Sequence, residues 1–167
     1  MSYLSKRVQR QLLKLAIVDA GTADMFIVTA FVPALEKMVV AGTSAGEASR
    51  LINYWLFAWQ KVRHLCDSHL NLNAERYTVR PHVRLSPILA RLEDKLMSIQ
   101  ESPNMDGQAM LAAVRDASSA TVGELVEFND WAKSAGREVD FDAAKYEGEA
   151  ARRALNRWAG IVRQIAP

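Results

Sequence analysis

The side chains best placed by type and spacing to meet a charged ligand lie between Val83 and Phe128. Leu85, Ile88, Leu89, Leu92, Leu96 and Ile99 recur at steps of three and four, which predicts a helix with one continuous apolar stripe, and Arg91, Lys95 and Ser98 fall off that stripe. In the following run Leu111, Val114, Leu125 and Phe128 mark a buried face, while Arg115, Ser119 and Val122 form a second stripe at the same spacing. Two mixed polar stripes on adjacent antiparallel helices predict a groove suited to an anion. Carboxylates accompany them as Glu93-Asp94, Glu101 and Asp106. Paired acids cleave glycosides or hold metals only at a defined separation inside a pocket, and solvated helix charges are the ordinary alternative. A third reading is repulsion between the carboxylates of neighbouring subunits, which raises their pKa and couples assembly to pH or divalent cations.

Other chemistry is poorly represented. His64, Cys66, His69 and His82 lie close enough in sequence to suggest zinc, but no CxxC or HxxxH pair anchors them, and neither metal nor cofactor is expected. Gly42 to Gly46 lacks the lysine of a phosphate-binding loop and follows no clear strand. No signature joins a nucleophile, a base and an orienting acid, so the chain does not read as an enzyme.

Length and composition agree with a single domain over residues 1–167: half of the residues are hydrophobic and 24% charged. A formal net charge of +2 excludes a chain that coats nucleic acid by bulk charge, so a polyanion site must be local. The lone Cys66 suits a reducing compartment. The apolar window Met25 to Val40 contains Pro33, Glu36 and Lys37, and predicts no membrane span and no membrane partner.

The elements that must position these groups follow from periodicity and punctuation. Tyr3 to Asp19 predicts an N-terminal helical extension, within residues 1–20, stopped by Gly21. Its Lys6, Arg7, Arg10 and Lys14 read as a solvated face, or else as contacts to a polyanion or a neighbouring subunit. Pro33 suits the first turn of a short helix to Val40. Ser44 and Glu47 form a capping-box pattern ahead of a helix from Ala45 to Cys66, whose rings Tyr54, Trp55, Phe57 and Trp59 are too broadly spread for one face, so some should meet another chain. Tyr77 to Arg80 and His82 to Arg84 alternate like a small strand or hairpin. Ser86-Pro87 reads as the start of a helix to Gln100, Asp106 as the cap of a helix to about Ala135, and Asp140 as the cap of a C-terminal helix within 141–167. That last helix carries Ala144, Leu155, Trp158, Val162 and Ile165 on its apolar side, and Arg152, Arg153, Arg157 and Arg163 on a basic face. The expected class is mainly α: an antiparallel four-helix bundle with a small β element and extra terminal helices.

The order of these features resembles the coat proteins of rigid rod-shaped plant RNA viruses, the tobacco mosaic virus-like family. The aromatic, proline-led segment Phe26-Ile-Val-Thr-Ala-Phe-Val-Pro33, the Ala48-Ser-Arg50 element, Leu85-Ser-Pro87 at a helix start and Arg115 followed by Ala120-Thr-Val122 carry the likeness. It departs from the family at Ser118-Ser119, in place of the family's acidic pair, and at Ser98 to Glu101, which lacks the family's arginines. The resemblance implies a capsid protein that polymerises as a helical rod around single-stranded RNA, located in the virion and host cytoplasm. It implies RNA contacts from Arg50, Arg91, Lys95, Arg115, Asp116, Ser119 and Val122, with Glu93, Glu101 and Asp106 as inter-subunit carboxylates. Arginine offers phosphate both charge and a planar donor fork. A small helical adaptor that binds another protein through its aromatic helix is the alternative.

Overall fold

The computed structural model describes residues 3–70, 77–102 and 104–165. Its elements are α1 (Tyr3–Met25), a π-helical segment (Phe26–Phe31), α2 (Val32–Ala41), α3 (Ala45–Ser68), α4 (Pro81–Gln100), α5 (Gly107–Glu138) and α6 (Ala143–Ile165). The protein is mainly α, and no strand occurs among the described residues.

The first three segments form one unbroken helix. Pro33 has no N–H to donate and its ring crowds the preceding turn. The backbone relieves this by widening before it: the Val32 N–H bonds to the Ile27 carbonyl, five residues back. Gly21 does not stop the helix. It lies against α6, where a Cβ would sit 3.0 Å from the Ala154 Cβ, so its bare Cα permits a close helix crossing. Nor is α1 an extension: it packs against α3, α4, α5 and α6, and every residue from Ala16 to Ala20 is buried. A stretch within 6–41 is long and apolar enough to cross a membrane, and 56% of that window is buried among the other helices, as in a core helix.

Ser44 caps α3 by accepting the Glu47 N–H at 3.2 Å, as the capping-box pattern requires. α4 starts at Pro81, six residues ahead of the expected Pro87, so His82 to Arg84 are helical and Tyr77 to Arg80 irregular. The rest of the presumed hairpin, 71–76, lies outside the described residues. A proline in the first turn fixes φ for helix, which overrides the short alternating pattern. Pro87 is an exposed interior residue, and Ser86 bonds Asp67 at 2.6 Å rather than capping. All six residues of the α4 stripe are buried. Asp106 accepts the Ala109 N–H at 2.8 Å and caps α5.

The cap of α6 is Asp142, which accepts the Lys145 N–H at 3.1 Å, not Asp140, which adopts a left-handed φ of 55°. Its buried face is Ala143, Tyr146, Ala150, Ala154 and Ile161, one residue step around from most of the expected face; Leu155 and Val162 are exposed, whereas Trp158 packs edge-on against Phe26 as expected. Small residues win there because α1 approaches closely at Gly21. Two apolar clusters result, one around Phe26, Phe31, Trp55 and Trp59 and one between α1, α5 and α6, and Trp131 touches both.

Candidate functional site

The two stripes flanking the α4–α5 hairpin do not face one groove. Arg91 forks onto Glu124, with Nη2 donating to Oε2 at 2.8 Å and Nε to Oε1 at 3.1 Å. Arg115 sits nine residues before Glu124, which at 100° per residue is half a turn around α5. It borders instead an apolar hollow of about 200 Å³ between α2 and α5, with Val32, Leu35, Glu36, Val39, Val40 and Leu111. Lys95, Asp116 and Ser119 are exposed, as is Arg50 on α3, whereas Val122 is half-buried against the core. The carboxylates also separate. Glu93 is buried and paired within the chain to Arg63, so it does not face another subunit: it lies on the inner side of α4 between Leu92 and Leu96. Asp106 is occupied as a helix cap, and Glu101 is exposed at the C-terminal end of α4.

A continuous surface stripe runs along α3. Arg50, Tyr54, Phe57, Lys61 and His64 follow steps of four, three, four and three, and all are exposed. Tyr54 and Phe57 keep 47% and 52% of their surface open, and the Lys61 ammonium lies 5.2 Å from the Phe57 ring centroid. The broad aromatic cluster therefore splits. Trp55 and Trp59 turn inward, where Phe31 packs edge-on against Trp55 and the Trp59 indole donates to the Leu89 carbonyl at 2.9 Å, while Tyr54 and Phe57 turn out. From the sequence, Arg50 is assigned to RNA, Tyr54 and Phe57 to a ring cluster that in part meets another chain, and His64 is weighed as a metal ligand; the alternation of basic and aromatic residues that joins them at helical spacing is legible but not drawn together.

A second polar assembly lies inside the bundle. Asp19, buried on α1, receives His69 Nδ1 at 2.8 Å and His82 Nε2 at 2.9 Å on one oxygen and pairs with Arg157 of α6 through the other. His69 is the C-cap of α3 and His82 the second residue of α4, so the carboxylate ties four helices together. The approach to α4 is fixed independently: the Val79 N–H donates to the buried Gln9 side chain at 3.1 Å. Of the zinc quartet considered from sequence, His69 and His82 do converge, with Asp19 as the third member, while His64 is exposed. Burial, with the charges of Asp19 and Asp67, pushes the Cys66 thiol far up, so it stays protonated and is no nucleophile. Nothing near Asp19 in sequence announces the cluster, because its partners come from three distant helices.

No protein-family model, curated protein or solved structure matches the chain.

Proposed function

We propose that the protein is a structural subunit that binds single-stranded RNA along the outer face of α3 and assembles with further copies of itself, in the manner of a rod-forming coat protein. The observation that carries this reading is the exposed Arg50–Tyr54–Phe57–Lys61–His64 stripe. Exposed rings stack on any base and interleaved cations meet the phosphates, the combination that single-strand binding requires. Many weak contacts along a strand give avidity, so a net charge of +2 suffices. The apolar hollow beside Arg115, with Val40 89% exposed at its rim, is the natural contact for a neighbouring subunit.

Anisotropy of a labelled oligouridylate, followed by negative-stain imaging with longer RNA, tests the proposal. Losing both rings in Tyr54→Ala/Phe57→Ala removes about 1 kcal/mol of stacking each and weakens binding about 25-fold. With Arg50 and Lys61 as the phosphate contacts, log K falls with log salt at a slope of about −1.4 per subunit. A persistent monomer that leaves RNA unprotected overturns the reading, and so does RNA binding that the double variant leaves intact. A discrete complex with another protein through the same stripe replaces it with the adaptor reading.

A further inference from the structure

Asp19, His69 and His82 present one carboxylate oxygen and two imidazole nitrogens, all within 4.8 Å of one another. We infer that this cluster is a zinc site that locks α1 to the end of α3 and the start of α4, a function separate from any RNA contact on the outer face of α3.

The chemistry of the donors selects the ion. Two neutral imidazoles and one carboxylate suit a borderline divalent transition metal, and they disfavour Mg²⁺ and Ca²⁺, which take oxygen ligands. Zinc bonds of 2.0–2.2 Å at tetrahedral angles place donors about 3.3 Å apart. The N···O pairs stand at 2.8 and 2.9 Å and the two nitrogens up to 4.8 Å apart, so an ion entering between them spreads each N···O pair by about 0.5 Å and draws the imidazoles together by about 1.5 Å, a movement open to half-buried His69 at the end of α3. His69 binds through Nδ1 and His82 through Nε2. Each of these nitrogens donates to the Asp19 carboxylate, and a metal entering there would displace that proton to the other ring nitrogen or to solvent.

The surroundings support the ligands. Arg157 holds the carboxylate oxygen that faces away from the histidines, fixing the orientation of Asp19 as outer partners of metal-bound carboxylates do. Asp19 and His82 are buried and His69 half-buried, which shields the site from competing water. A cavity of about 10 Å³ adjoins both imidazoles, between Leu12, Leu70 and Arg80. It has room for about one water, the usual fourth ligand of a three-residue zinc site.

The test uses the untagged 167-residue chain, stripped with a chelator and titrated with Zn²⁺ against a competing indicator. One equivalent binds, the melting temperature rises with Zn²⁺ and not with Mg²⁺, and Co²⁺ gives a tetrahedral visible spectrum that needs no variant. His69→Gln lowers Zn²⁺ affinity by more than the 10- to 100-fold typical of losing an outer partner, whereas His64→Gln, at the exposed third histidine, leaves Zn²⁺ affinity unchanged. Failure of the wild-type chain to take up one equivalent overturns the inference. Uptake unchanged in His69→Gln, or an equal response to Mg²⁺, overturns it as well.

Discussion

Replacing Asp19 by asparagine, with all metal held on a chelator, isolates the worth of the buried carboxylate to the fold. The carboxylate accepts on both oxygens: two imidazole N–H groups on one and a guanidinium on the other. An amide of the same shape can turn its oxygen to Arg157 and its NH₂ to the two imidazoles, which must then change tautomer to accept, but it leaves the guanidinium without an anionic partner. Removing one member of a buried, hydrogen-bonded charge pair costs about 3–5 kcal/mol. Here the lower end applies, because Arg157 and His69 keep 29% and 22% side-chain exposure and recover part of their solvation. About 3 kcal/mol is a large share of the stability of roughly 5–15 kcal/mol typical of a domain, and lowers the melting temperature by about 10 °C at this chain length. Urea unfolding of Asp19→Asn, Arg157→Met and the double variant measures it. The double variant leaves no guanidinium without its anionic partner, so its cost falls short of the sum of the singles by at least about 0.5 kcal/mol. An Asp19→Asn protein within about 0.5 kcal/mol of wild type refutes the reasoning.

Further predictions rest on backbone proximity and on titration. A Cβ at Gly107 would lie 2.0 Å from the Thr43 carbonyl oxygen, so Gly107→Ala pushes α5 away from the α2–α3 turn and destabilises by about 1–3 kcal/mol in denaturant melts. Gly123 and Gly148 have nothing within 4 Å and sit inside helices, so alanine at either stabilises by about 0.5–1 kcal/mol. Burial holds the Asp24 carboxyl above its ordinary range, so the folded chain binds this proton more tightly than the unfolded one. The resulting stabilisation is complete below the ordinary carboxylate range and is lost as pH rises through the folded value. Asp24→Asn therefore gains stability over wild type at neutral pH, an advantage that disappears below about pH 4 and is read from denaturation midpoints against pH.

The legible parts of this fold are those decided within one helix. The α4 stripe from Leu85 to Ile99 has a period of about 3.6, and burial follows that period whatever the stripe packs against. The caps at Ser44 and Asp106 satisfy backbone donors three residues away and depend on nothing distant. The misread parts are decided by a second element. Gly21 is a helix breaker by composition and a packing residue once Ala154 is opposite it. The face of α6 is misplaced because large apolar residues were preferred, while the close crossing with α1 selects Ala150 and Ala154.

The same division separates the two sites. The α3 stripe belongs to one helix, and only the direction in which each aromatic points required the fold: Trp55 and Trp59 are drawn in by Phe26, Phe31 and the Leu89 carbonyl, which leaves Tyr54 and Phe57 outside. The Asp19 cluster draws on α1, α3, α4 and α6, so no local pattern encodes it. Its cost explains its position. A carboxylate in the middle of an apolar helix is unfavourable unless every lone pair it exposes is met, and α1 can bury Asp19 only because His69, His82 and Arg157 arrive from three other helices. An α1 shifted by one residue would bring Ala20 or Val18 to the two imidazoles and leave them unpaired, so the cluster fixes the register of the central helix against its neighbours as well as offering ligands to a metal.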